Sequence, residues 1–105
     1  MTKRSELQNI NLERLILIED LIRDLKVLLE NEDIRENDII QVIFDLENLL
    51  TQRELLFILR GLNYSSADSL SFFNNAVSSN VIVLSKEKSS NPDPDLWQLN
   101  PNLEN

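Results

Sequence analysis

Gly61 is the only glycine in the chain, and it follows a Thr51-x-x-Glu54 capping box by about two helical turns. Such a box satisfies two orphan N–H groups at a helix start, and a glycine is the usual stop. Leu55, Ile58, Leu59 and Leu62 repeat at helical spacing, with Arg60 in the last turn. The spacing predicts a helix over 52–60 with Gly61 just past its end. Ser65-x-x-Asp68 is a second start, predicting a helix over 66–75 with Leu70 and Phe73 inward. One Gly and three Pro leave little turn chemistry for a many-stranded sheet, while Leu and Ile abound. The expected fold class is all-α, a small bundle of about four helices.

Upstream, a long helix is predicted over 6–30, with Ser5-x-x-Gln8 as its capping box. Leu15, Ile18, Ile22, Leu25 and Leu29 follow heptad spacing and line one face. Ile10, Leu12, Ile16, Leu17, Leu21, Val27 and Leu28 widen the apolar arc beyond what one packed seam requires. The extra cover comes either from the chain's own later helices or from a second copy. The five heptad residues are accordingly the expected partner-binding or dimer face. After the polar break NEDIREND, with N-caps offered by Asp33 or Asp38, Ile39, Ile43, Leu46 and Leu50 mark a helix over 38–50. The short connection predicts that it packs antiparallel to the first.

Val81-Ile82-Val83-Leu84 is apolar and β-branched, which suits a short strand or a buried helical turn. A lone strand leaves its backbone groups unsatisfied, so the helical turn is favoured. From Ser89 the composition shifts to Ser, Asn, Pro and Asp, dividing the chain into a helical domain, 1–88, and a disordered acidic tail, 89–105. Within that tail Leu96, Trp97 and Leu99 form a motif with two uses. They dock into a groove on a partner, or Trp97 folds back over the helical core.

The chain has no Cys and no His, which removes disulfides, thiolate metal sites, the commonest metal ligand and the commonest general base. Adjacent carboxylates such as Glu19-Asp20 and Glu32-Asp33 point in different directions on a helix, and no set of cations converges on an anionic substrate. A non-enzymatic protein with no cofactor, no metal and no catalytic residue is expected. No apolar run approaches the ~20 residues of a membrane helix. The start, MTKRSELQ, lacks an export pattern, so a cytoplasmic location is expected. Net charge is −8, distributed as −6 over residues 1–50, +1 over 51–90 and −3 over 91–105.

Thr51-x-Arg53-Glu54-Leu55, Gly61, Tyr64-Ser65, Leu70 and Ala76-Val77-Ser78-Ser79-Asn80 together outline a helix, a turn and a second helix. This stretch resembles the helix-turn-helix of bacterial regulators of the Trp-repressor and LuxR classes. The resemblance implies that Ser78, Ser79, Asn80, Lys86 and Lys88 face a major groove or its phosphates. Three positions depart from the pattern: Phe72 where a small residue is usual, and Asn75 and Ser85 where apolar ones are. Phosphate neutralisation supplies most non-specific affinity for nucleic acid, and the acidic total opposes it. The leading expectation is a small acidic regulatory or adaptor protein that binds a protein partner and pairs with itself as a homodimer. The alternative is a dimeric helix-turn-helix DNA-binding transcriptional regulator.

Overall fold

The computed structural model describes residues 12–88 and 95–102. Along these residues run α1 (Leu12–Asn31), a 3-10 turn (Glu36–Asp38), α2 (Ile39–Leu46), α3 (Gln52–Gly61), α4 (Ser66–Ser78), β1 (Ile82–Lys88) and β2 (Asp95–Leu99). The strands form one antiparallel sheet. The fold is therefore mixed α/β and mostly helical, which corrects the all-α expectation. Residues 6–11 of the expected first helix, and the Ser5-x-x-Gln8 box, lie outside the described residues.

Val81–Leu84 does not lack a strand partner: the partner lies in the segment expected to be a disordered tail, which overturns the helical turn expected there. Ile82 faces Leu99, Val83 faces Gln98 and Leu84 faces Trp97, with a bulge before Lys88 meets Asp95. The hairpin is anchored at three further points. Leu50 and Trp97 exchange backbone hydrogen bonds of 3.2 and 2.7 Å, and the Asn100 N–H donates to the Val81 carbonyl at 2.9 Å. The Asn100 side chain also donates to the Asn80 carbonyl. Residues 95–102 are thus part of the folded domain.

Three helix ends depart from expectation. Helix α2 stops at Leu46, four residues short of Leu50, because Glu47 turns extended (φ −141°, ψ 111°) and frees Leu50 to pair with Trp97. Asp38 stands at the N-cap of α2 without a side-chain cap bond. Helix α3 ends on Gly61 rather than before it, and Asn63 takes the left-handed conformation (φ 77°). Gly61 serves close approach instead. A Cβ there would lie 2.6 Å from Ile22 Cδ1, so the missing side chain lets α3 sit against α1. Helix α4 runs to Ser78, three residues beyond the predicted end.

The capping signals at Thr51 and Ser65 act as read. The Thr51 hydroxyl accepts from the Glu54 N–H, the Glu54 carboxylate accepts from the Thr51 N–H, and the Ser65 hydroxyl accepts from the Asp68 N–H. The core draws Ile18 and Leu25 from α1, Ile43 and Phe44 from α2, Leu55, Ile58 and Leu59 from α3, Phe73 from α4 and Ile82 from β1. Trp97 of β2 closes it edge-on against Phe73, with ring centroids 5.2 Å apart and planes at 90°.

Candidate functional site

The described surface contains a concavity of about 630 Å³ between the 3-10 turn and one face of α4. Local sequence builds it. Asp68, Phe72 and Ala76, and beside them Ser71, Asn75 and the C-cap Ser79, form two rows at four-residue spacing that share one stripe of α4. Glu36, Asn37 and Ile40 form the opposite wall, with Tyr64 and Val81 completing the lining. Tyr64 meets Phe72 edge-on, centroids 4.8 Å apart and planes at 71°, so the apolar part of the surface is aromatic.

The electrostatics are one-signed. Glu36 and Asp68 line the concavity, and among the described residues no Lys or Arg lines it. Burial pushes the Tyr64 phenol above its ordinary value of 10.0, and the Glu36 and Asp68 carboxylates push it the same way. A phosphate or carboxylate ligand is disfavoured there. A cation carried on an apolar stem suits it: the ammonium or guanidinium meets carboxylates while the stem lies on Tyr64 and Phe72. A volume of this size is within the usual range of binding clefts.

The residues singled out from sequence fall elsewhere. Leu15, Ile18, Ile22, Leu25 and Leu29 pack into or against the core, so the heptad seam is filled within the chain. Leu96, Trp97 and Leu99 all lie in β2, with Trp97 and Leu99 packed on the core. Ser78 ends α4, Ser79 caps it and Asn80 turns at φ 60°, while Lys86 and Lys88 follow on β1. A strand occupies the place where a recognition helix is required, and Lys88 is paired with Asp95 at 3.2 Å. Those five residues do not share a helix face.

Sequence reading missed the concavity because its walls come from two segments that nothing local connects. One signal was present, Phe72 on a polar flank of α4 beside Asp68 and Asn75; of the two residues expected inward, Phe73 is buried and Leu70 is exposed. Among the described residues no group of His, Cys, Asp or Glu has an arrangement that would hold a metal ion. None of the described helices is long and apolar enough to cross a membrane. No protein family, curated protein or solved structure matches the chain.

Proposed function

We propose that this chain is a small non-enzymatic adaptor that binds a cationic segment of a partner protein in the concavity between the 3-10 turn and α4. One observation carries the reading: an open cleft whose lining, among the described residues, combines two carboxylates and an aromatic pair with no cation. The net charge of −8 would help to draw a basic segment in from a distance. Rim carboxylates mostly accelerate encounter, whereas the aromatic surface supplies desolvated contact area.

The test is a titration of the full chain, followed by amide and aromatic NMR, with a Lys/Arg-rich peptide carrying interspersed leucines. Resonances of Tyr64, Phe72 and Asn75 are expected to move together and saturate, with affinity falling as salt rises. Glu36→Gln combined with Asp68→Asn is expected to weaken binding about tenfold, the loss of roughly 1.4 kcal/mol of charge-assisted contact. An equal response to an acidic peptide, or shifts confined to other surfaces, would overturn the reading.

A further inference from the structure

Helix α1 turns its buried residues, Ile18, Leu21 and Leu25, toward the core. Its opposite side, about 180° around the helix at 3.6 residues per turn, is a second stripe that nothing among the described residues covers. Ile16 and Val27 stand there 52% and 53% exposed, with Asp20 and Arg23 between them, 3.1 Å apart as an exposed ion pair. Single exposed aliphatics are ordinary on a protein surface. The order of this stripe is not, because it has a two-fold character.

Turned end for end about the midpoint between Leu21 and Ile22, the stripe superposes Ile16 on Val27 and Asp20 on Arg23. We infer that α1 is the interface of an antiparallel homodimer, in which this stripe packs against the same stripe of a second copy. Ile16 of each chain meets Val27 of the other, and Asp20 of each meets Arg23 of the other in a closed ring of four alternating charges. In the heptad register that puts these four residues in the seam, Glu19 and Lys26 flank it on one side. Antiparallel pairing sets Glu19 of one copy beside Lys26 of the other, twice. A contact that a two-fold axis maps onto itself is what closed dimers require.

Charge complementarity therefore selects the occupant as a second copy and the orientation as antiparallel. In a parallel pair Asp20 would face Asp20 and Arg23 would face Arg23, and like charges at close range are repulsive. Glu13 opposes Glu30 of the second copy at each end, which confines the favourable contact to about three turns. So short a face lies below the ~800 Å² per partner of stable complexes, so the dimer is weak and forms with rising concentration. This inference is independent of the concavity, which lies on another part of the molecule.

The experiment is sedimentation of the full chain across a concentration series, with charge-swapped variants whose far-ultraviolet spectra confirm folding. Asp20→Arg alone and Arg23→Asp alone are each expected to raise the dimer Kd about tenfold or more. Their equimolar mixture is expected to restore association as a heterodimer, since each variant supplies the charges that the other lacks. The absence of native cysteine allows a direct reading of orientation. Ile16→Cys and Val27→Cys chains, mixed and oxidised, are expected to form a disulfide between unlike copies. Ile16→Cys alone is expected to remain uncrosslinked, because antiparallel packing separates the two thiols by about 16 Å along the axis. A monomer at every concentration, cross-linking of Ile16→Cys to itself, or a mixture no tighter than the single variants would overturn the inference.

Discussion

Arg14 of α1 grips the Glu54 carboxylate with two hydrogen bonds, Nε to Oε2 at 3.0 Å and Nη2 to Oε1 at 3.1 Å. Glu54 is only 2% exposed and also completes the Thr51 capping box, so one carboxylate ties α1 to the start of α3. A second arm of the guanidinium reaches Glu47 at 2.9 Å. The Glu54 hydrogen bond is the main reason that the Arg14 pKa is raised. Arg14→Met is expected to destabilise the fold by about 2–3 kcal/mol, because it strands a buried charge. In a Glu54→Gln background, where the cap survives without the charge, the same change is expected to lose less than about 1 kcal/mol. Urea unfolding of the four proteins of this cycle measures the coupling, and equal losses in both backgrounds would refute it.

Gly61→Ala should lower stability even though alanine is the better helix former by about 1 kcal/mol. The added Cβ meets Ile22 Cδ1 at 2.6 Å and both Ile22 γ carbons at 3.2 Å. Overpacking of this kind loses about 1–3 kcal/mol, so the net change is a loss of about 1 kcal/mol. Ile22→Val removes the nearest atom. The double variant is expected to recover more than half of the loss in thermal unfolding, and failure to do so would place the strain elsewhere.

Thr51, Glu54 and Ser65 were legible as helix starts because capping is local: acceptor and N–H group lie three residues apart. The inward heptad of α1 was legible too, as periodicity, although not what it packs against. Leu15 to Leu29 read equally well as a dimer seam, and only the folded chain shows that seam filled by its own later helices. The strand pair was hidden for a different reason. Val81–Leu84 carried β propensity, but its partner sits beyond a Ser/Asn/Pro stretch that reads as disorder. Pairing across such a gap leaves no periodic trace. The concavity escaped for the same cause, since Glu36 and Asp68 are brought together by packing alone.

Removing Trp97 should loosen the hairpin and the core together. Its ring lies edge-on against Phe73 and its backbone pairs with Leu50, so it joins β2 to α4 and to the end of the α2–α3 connection. Trp97→Ala is expected to lose about 2–4 kcal/mol, less than a fully enclosed tryptophan because the side chain is partly exposed. That corresponds to a fall in Tm of roughly 10–20 °C for a domain of this size. Deleting residues 89–105 should lower Tm by at least as much. An unchanged Tm in the truncated chain would mean that this segment contributes nothing to the fold.

Ser69→Ala is expected to stabilise. Among the described residues, Ser69 Oγ is the buried side-chain oxygen without a hydrogen-bond partner, on a residue 1% exposed within α4. Replacement removes an unsatisfied hydroxyl and raises helix propensity, which together are worth about 1 kcal/mol. Chemical denaturation reads the change directly, and a loss of stability would show that the hydroxyl has a partner in solution.

Tyr64 reports the field of the concavity. Burial is the larger cause of its raised pKa, with Glu36 and Asp68 adding to it. As the only tyrosine, it can be titrated by phenolate absorbance without interference from another phenol. The midpoint in the folded protein is expected above the ordinary 10.0. The folded state favours the neutral phenol, so the associated stability is fully present below the unfolded pKa and is lost as pH rises through the folded one. Glu36→Gln with Asp68→Asn should move the midpoint down but not back to the ordinary value, because burial remains. A midpoint that the double variant leaves unmoved would show that the two carboxylates do not project into the cleft, and the cationic ligand proposed for it would lose its anchor.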